Sequence, residues 1–187
     1  RINSSDDLVI ENTGLGNDAV EFSGFSSYTL ANNVERLLLG NGASHGTGNS
    51  LNNTLTGNSV DNTLDGGAGD DSIYGGDRGI DTLLGGAGND TLLGNSLANS
   101  LDGGTGNDSM VGGTGDDYYL VDSTTDVIVE AASGGTDSVL LSVSGYTLGN
   151  SSEVEWMVFA GTLASSRATG NSLANTLVGN ALTNTLS

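Results

Sequence analysis

From Gly48 to Leu120 the chain repeats on a nine-residue beat, in eight consecutive units: GNSLNNTLT, GNSVDNTLD, GGAGDDSIY, GGDRGIDTLL, GGAGNDTLL, GNSLANSLD, GGTGNDSMV and GGTGDDYYL. Only the fourth unit has a tenth residue. This short period constrains the fold more than any other feature. A unit so small cannot bury an apolar face alone and must stack on its neighbours. The penultimate residues are Leu55, Leu64, Ile73, Leu83, Leu92, Leu101, Met110 and Tyr119. Their unbroken apolar character predicts one side chain per unit pointing into a shared core.

Each unit divides into two parts. The first six residues concentrate glycine, as a turn with positive φ or close backbone approach requires. The last three, such as DTL or DSI, alternate polar and apolar and read as a very short strand with one face inward. Two units on opposite sides make one coil of about 18 residues, and coils stack at roughly 4.8 Å. A helix is excluded, because each interior glycine would cost about 1 kcal/mol relative to alanine. The fold class is therefore all-β: a parallel β-roll, or β-solenoid, of nonapeptide repeats with flanking irregular β-coils.

A longer period encloses the short one. DDLVIENTGLGNDAVEF near the start is echoed by TDVIVEAASGGTDSVLL from Thr125, and GNSLNNTLTGNSVDNTL by GNSLANTLVGNALTNTL. Residues 1–47 and 121–169 are expected to be irregular β-coil flanks, 48–120 the nonapeptide roll with turns at 66–117, and 170–187 the start of a second nonapeptide block. Opening on Arg1 and stopping at Ser187 inside a repeat, the chain reads as a piece of something longer.

Charge is lopsided, with 23 Asp and Glu against four Arg and no Lys, a formal net of −19. Phosphate contacts need cationic side chains, so nucleic acid is an improbable partner. An anionic membrane surface would repel the chain. No apolar run reaches transmembrane length, so no membrane insertion is expected. Absence of Cys excludes disulfides and thiolate metal sites. Low hydrophobicity with high charge favours disorder, unless divalent cations, the natural partners of so much carboxylate, are bound.

The turns carry the chemistry. Residues 66–71, 85–90, 103–108 and 112–117 read GGxGxD without deviation, and 75–81 reads GGDRGID with one insertion. Calcium takes six to eight hard oxygens, backbone carbonyls included, and turns without Cβ groups can aim carbonyls inward. Without an ion, stacked aspartates about 5 Å apart would repel by roughly 3 kcal/mol per pair at an effective dielectric near 20.

These units resemble the RTX (repeats-in-toxin) calcium-binding repeats of secreted bacterial proteins, closely over 66–120 and partially over 48–65, 94–102 and 170–187. The resemblance implies Ca2+ between turns stacked on one side of the roll. The carboxylates of Asp71, Asp81, Asp90, Asp108 and Asp117 would bind it, with backbone carbonyls of the glycine stretches at Gly67 and Gly69, Gly86 and Gly88, Gly104 and Gly106, and Gly113 and Gly115. Turns two units apart share a side, so Asp71 should face Asp90, and Asp90 should face Asp108, giving two full sites. On the other side Asp81 faces Asn99 and Asn99 faces Asp117, and those sites should be weak, distorted or empty. Asp108 and Asp117 are further candidates for sites that cap the block. Asn53, Asn62, Asn99, Asn175 and Asn184 stand at the aspartate position of the GN units. They are expected to form uncharged hydrogen-bonded ladders in metal-free coils, the alternative being amide oxygens as calcium ligands.

Other motifs yield to blander readings. GASHG, residues 42–46, fits G-x-S-x-G, but His45 is the sole histidine and lies within the motif, so it reads as a glycine-rich loop. Asp70–Asp71 and Asp116–Asp117 are not a catalytic pair, since each second member is the motif aspartate. Trp156 and Phe159 correspond to Arg36 and Leu39 in the first copy, which argues against a fixed ligand platform and leaves Phe159 as core. Thr105 and Thr114 alternate with Ala68 and Ala87, a poor match to the flat threonine array of calcium-dependent ice-binding solenoids. No catalytic constellation is present, and no enzyme activity is expected. The resemblance implies a structural module that folds on extracellular calcium, secreted or at the cell surface after type I export. The alternative is a self-associating unit of a surface layer, filament or adhesin, docking end to end.

Overall fold

The computed structural model describes residues 9, 11, 16–24, 26–132, 134–150, 152–161 and 163–187. The described chain is all strand and turn, wound as a β-solenoid of about nine coils. One seven-stranded parallel sheet contains β1 (Ala19–Phe22), β3 (Arg36–Leu39), β5 (Thr54–Thr56), β7 (Ser72–Tyr74), β9 (Thr91–Leu93), β11 (Ser109–Val111) and β13 (Val127–Val129). Facing it, a nine-stranded sheet contains β2 (Ser27–Thr29), β4 (His45–Thr47), β6 (Thr63–Ala68), β8 (Thr82–Ala87), β10 (Ser100–Thr105), β12 (Tyr118–Val121), β14 (Ser138–Leu141), β16 (Trp156–Phe159) and β18 (Thr176–Val178). A third sheet of β15 (Tyr146–Thr147), β17 (Ser166–Thr169) and β19 (Asn184–Leu186) follows the first. Among the described residues no helix is long and apolar enough to cross a membrane.

Odd and even strands alternate between sheets, so each coil is two units, as the nine-residue beat requires. Register keeps like over like: Leu55 pairs with Ile73, Ile73 with Leu92 and Leu92 with Met110, while Leu64 pairs with Leu83 and Leu83 with Leu101. All eight members of the apolar column are fully buried. Fully burying one such side chain stabilises the roll by about 1.5–3 kcal/mol, which offsets only part of the entropy of ordering its glycine-rich turn.

The flanks continue the same stack. β1 and β3 lead into β5, and β14 and β16 follow β12, all in parallel register. The DLVIE run lies largely outside the described residues, whereas its counterpart DVIVE supplies β13. Phe159 is buried, as expected, and Trp156 points outward.

Two local expectations change. Strands β6, β8 and β10 have six residues rather than three, because the GGA or GGT that opens each following turn also pairs: Gly67 with Gly86, Ala68 with Ala87, and Gly86 with Gly104. The tenth residue of the fourth unit leaves the register intact, with Thr82 over Thr63, since the extra length bulges outward at exposed Ile80.

GASHG is a packing device. Ser44 Oγ and His45 Nδ1 are 2.8 Å apart, but Ser44 leads into β4, and no helix follows to form a nucleophile elbow. Gly46 occupies the core column between Tyr28 and Leu64, where an added Cβ would lie 2.8 Å from Leu37 and 3.1 Å from Leu64.

Candidate metal centre

The turns form two edges of the roll. The first edge stacks residues 48–53, 66–71, 85–90, 103–108 and 122–126, and the second stacks 57–62, 75–81, 94–99, 112–117 and 130–137. The predicted neighbours are brought together. Along the first edge the Asn53 amide donates to Asp71 Oδ1 at 2.6 Å, Asp71 to Asp90 at 2.7 Å, Asp90 to Asp108 at 2.8 Å and Asp108 to Asp126 at 3.1 Å. The second edge repeats the pattern through Asn62, Asp81, Asn99, Asp117 and Asp137.

Each motif aspartate thus spends Oδ1 on the backbone of the preceding coil. Its other oxygen has a different fate. Oδ2 of Asp71, Asp90, Asp108 and Asp117 is buried with no hydrogen-bond partner. A buried anionic oxygen left unpaired is costly, and the four oxygens at this recurring position have the donor chemistry that a hard cation would satisfy. Carbonyls lie in the same gaps. A Cβ on Gly86 would collide with Gly67 O, one on Gly88 with Gly69 O, and one on Gly104 with Gly86 O. Gly67, Gly69, Gly86, Gly88, Gly104, Gly106, Gly113 and Gly115 all have φ between +78° and +147°, the conformation that their places in the motif imply. The residues fit a calcium ion.

The first glycine of each motif is a participant that the resemblance did not supply. A Cβ on Gly66, Gly85 or Gly103 would strike Oδ2 of Asp71, Asp90 or Asp108, so these glycines make room for the carboxylate. Its invariance in all eight units was the available signal.

Electrostatics refines the expectation of mutual repulsion. The carboxyls of Asp71, Asp81, Asp108 and Asp117 are each pushed up to about 6, with burial as the largest cause and amide donation opposing it. The charge of Asp90 on Asp71 is a smaller contribution. Desolvation more than repulsion disfavours the ionised, metal-free turns.

Asp81 departs from the others. Its Oδ2 accepts from Asn95 Nδ2 at 2.8 Å, and the same Nδ2 donates to Gly79 O at 3.0 Å. Asn95 is the second residue of a GN unit, and its equivalents act alike. Asn49 Nδ2 reaches Ala31 O and Val34 O, Asn58 Nδ2 reaches Gly40 O and Ala43 O, and Asn171 Nδ2 reaches Gly149 O and Ser152 O. The expected Asn ladder is therefore corrected. Asn53 and Asn62 close their own turns by accepting from the amides of Asn49 and Asn58, as Asn175 and Asn184 do from Asn171 and Asn180. The cross-coil bonds run to backbone and not from Asn to Asn: the second-position NH2 spans carbonyls of the coil before it, and Nδ2 of Asn53, Asn62 and Asn175 also donates to Val34 O, Ala43 O and Val154 O of the preceding coil.

The variable carboxylates have structural partners outside the core. Asp70 accepts from the Asn89 amide and Asp116 from the Thr136 amide, both at 2.8 Å on the exposed rim. Thr105 and Thr114 sit on opposite edges, and Thr105 stacks on Ala87, so they share no flat array.

The family model described as the RTX calcium-binding nonapeptide repeat (4 copies) matches residues 47–77, 76–96 and 93–128. No curated protein and no solved structure matches the chain. RTX nonapeptide repeats bind Ca2+ and form a structural β-roll. With their stacked GGxGxD turns and buried unpaired carboxylate oxygens, residues 47–128 match the RTX calcium-binding nonapeptide repeat in sequence and in form.

Proposed function

We propose that this chain is a calcium-gated folding module of a secreted or cell-surface protein. Calcium is held on the first edge, between Asp71 and Asp90 and between Asp90 and Asp108, with carbonyls of the intervening glycine turns completing the shell. The observation that carries this reading is the unpaired, buried Oδ2 on all three aspartates. The ion supplies the positive charge that these oxygens lack, while the chain places the carboxylates, excludes water and fixes the spacing of the coils. On the second edge the gap at Asp81 takes no calcium, because Asn95 already satisfies Oδ2.

Calcium sites of extracellular modules bind at around 10⁻⁴ to 10⁻³ M. The calcium-dependent coils of such a chain stay unfolded at low intracellular calcium, which suits passage through a type I export channel, and they fold outside by mass action. It has no enzyme activity of its own. Far-UV circular dichroism during a calcium titration of chelated protein, with magnesium as control, tests the reading. A cooperative gain of β signal near millimolar calcium is expected. A fully folded spectrum in chelator would overturn the gate.

End-to-end self-association is the alternative reading, since the parallel strands of a stacked solenoid can pair with those of another copy. A calcium-dependent rise in mass by light scattering would support it, and a constant monomer mass would dismiss it.

A further inference from the structure

Where the second edge leaves the repeat block, the pattern of one carboxylate per gap breaks. Register carries Ser109 over Val127 and Val111 over Val129, so the next residue, Glu130, follows β13 where Gly112 follows β11. A carboxylate therefore stands where every complete motif has its first glycine. Its side chain runs inward: Glu130 is 6% exposed, beside Asp117 at 1% and Asp137 at 0%. One oxygen from each of the three lies within 4.8 Å of the others.

The remaining bonds show which oxygens are free. Asp117 Oδ1 accepts from the Asn99 amide, Asp137 Oδ1 from the Asp117 amide, and Glu130 Oε1 from the Tyr119 hydroxyl. Oδ2 of Asp117, Oε2 of Glu130 and Oδ2 of Asp137 are buried without a partner. Backbone oxygens adjoin them. A Cβ on Gly134 would lie 3.0 Å from Ala131 O, 3.1 Å from Gly113 O and 3.2 Å from Glu130 Oε2, so glycine there keeps this pocket of oxygens open. Three anionic oxygens with nearby carbonyls, and neither imidazole nor thiolate, select a hard cation that accepts irregular oxygen shells, which is calcium rather than magnesium.

We infer that Asp117, Glu130 and Asp137 form a further calcium site, outside the GGxGxD gaps, that joins the repeat block to the coils after it. The inference rests on the reading that oxygen-lined gaps of this roll take calcium. It assigns the ion to residues of two different coils and to a glutamate that no repeat motif contains. Bound there, calcium ties turn 112–117 to turn 130–137 and makes the following flank part of the calcium-dependent fold.

Isothermal titration calorimetry of the 187-residue chain with calcium tests it, comparing wild type with Glu130→Gln, Asp137→Asn and, as a probe of the first edge, Asp90→Asn. Glu130→Gln and Asp137→Asn should each lose one bound ion, or weaken one class of site by roughly tenfold or more, since ligand charge sets calcium affinity. Both should also raise the thermal midpoint in chelator, because each removes a carboxyl that burial leaves without a partner, a pairing of effects that mere structural damage would not give. Binding in both variants indistinguishable from wild type would overturn the site. If they bind normally while Asp90→Asn loses calcium, this inference fails and the proposed function stands. The opposite result keeps this site and fails the first-edge assignment, and a wild-type chain that binds no calcium ends both. An anomalous difference map from wild-type crystals grown in calcium gives a reading that needs no variant. A peak among the three carboxylates supports the site, and density for water alone refutes it.

Discussion

The two edges of the roll share sheets, core and coil spacing, and differ in what spans the space between turns. On the first edge three GG turns are consecutive, at 66–71, 85–90 and 103–108. Their glycines extend β6, β8 and β10, and their aspartates keep Oδ2 unpaired. On the second edge the GG turn at 75–81 lies between GN turns at 57–62 and 94–99, and an asparagine NH2 enters the gap. The backbone presents the same carbonyls in either case. A cation or a carboxamide can bridge them, and the residue after the first glycine decides which. An internal amide holds a coil permanently, whereas an ion holds it only where the ion is plentiful. Under the proposed function, one roll would combine fixed coils with conditional ones.

The largest effect should come from Asp90→Asn, because Asp90 borders both first-edge gaps. Each site contributes about 2.7 kcal/mol at calcium a hundredfold above Kd, so losing two should cost about 5 kcal/mol, measured by denaturant melts in calcium. Asp81→Asn should leave the calcium titration unchanged. Equal losses in the two variants would erase the distinction between edges. Leu92→Ala comes next, at about 2–5 kcal/mol for a fully buried side chain, with or without calcium. It reports on the core that both edges share, and a loss seen only in chelator would tie the column to the ion. Asn95→Ala should cost about 1–3 kcal/mol by leaving Asp81 Oδ2 buried and unpaired. Its loss should be the same in calcium and in chelator, and rescue by calcium alone would mean that the ion can take the place of the amide.

The effect of pH is spread over many groups. The folded-state carboxyls of Asp71, Asp81, Asp108 and Asp117 lie near 6 and that of Glu130 near 8, above their ordinary values. Between the ordinary and raised values the folded state holds more protons than the unfolded one, so metal-free stability falls as pH rises. In chelator the thermal midpoint should therefore be highest near pH 4 and decline through pH 6, with a further fall toward pH 8 from Glu130. In calcium the trend should reverse above about pH 6, because ionised oxygens then bind the ion. A flat profile in chelator would mean that the turns open before their carboxyls are buried.

Much of this was legible in the chain. The apolar column from Leu55 to Tyr119 is fully buried because a two-residue alternation within a nine-residue beat admits one inward side chain per unit. The positive φ of Gly67, Gly86 and their equivalents was written in residue type, since other residues rarely adopt it. Stacking of Asp71, Asp90 and Asp108 followed from placing every second unit on one edge. Asn95 was harder to read, because the Asn in GN looks like a simple substitution for glycine until its reach to the preceding coil is seen. Glu130 and Asp137 were invisible as a pair, since neither belongs to a complete motif and their link to Asp117 crosses coils.

The longer period gives the clearest division. The sequence by itself determined that residues near 19–22 and 138–141 are copies, that the chain is a stack of short strands, and that its glycine turns suit a hard cation. Only the tertiary structure decided where the copies lie. β14 comes thirteen strands after β1, and because strands alternate between sheets, an odd interval puts β1 in the seven-stranded sheet and β14 in the nine-stranded one. The same holds for β3 and β16. Sequence fixes a strand's inward face through local alternation, but the side of the roll on which it lies is a running count of half-coils. Insertions and irregular turns alter that count, and only the assembled stack records the sum.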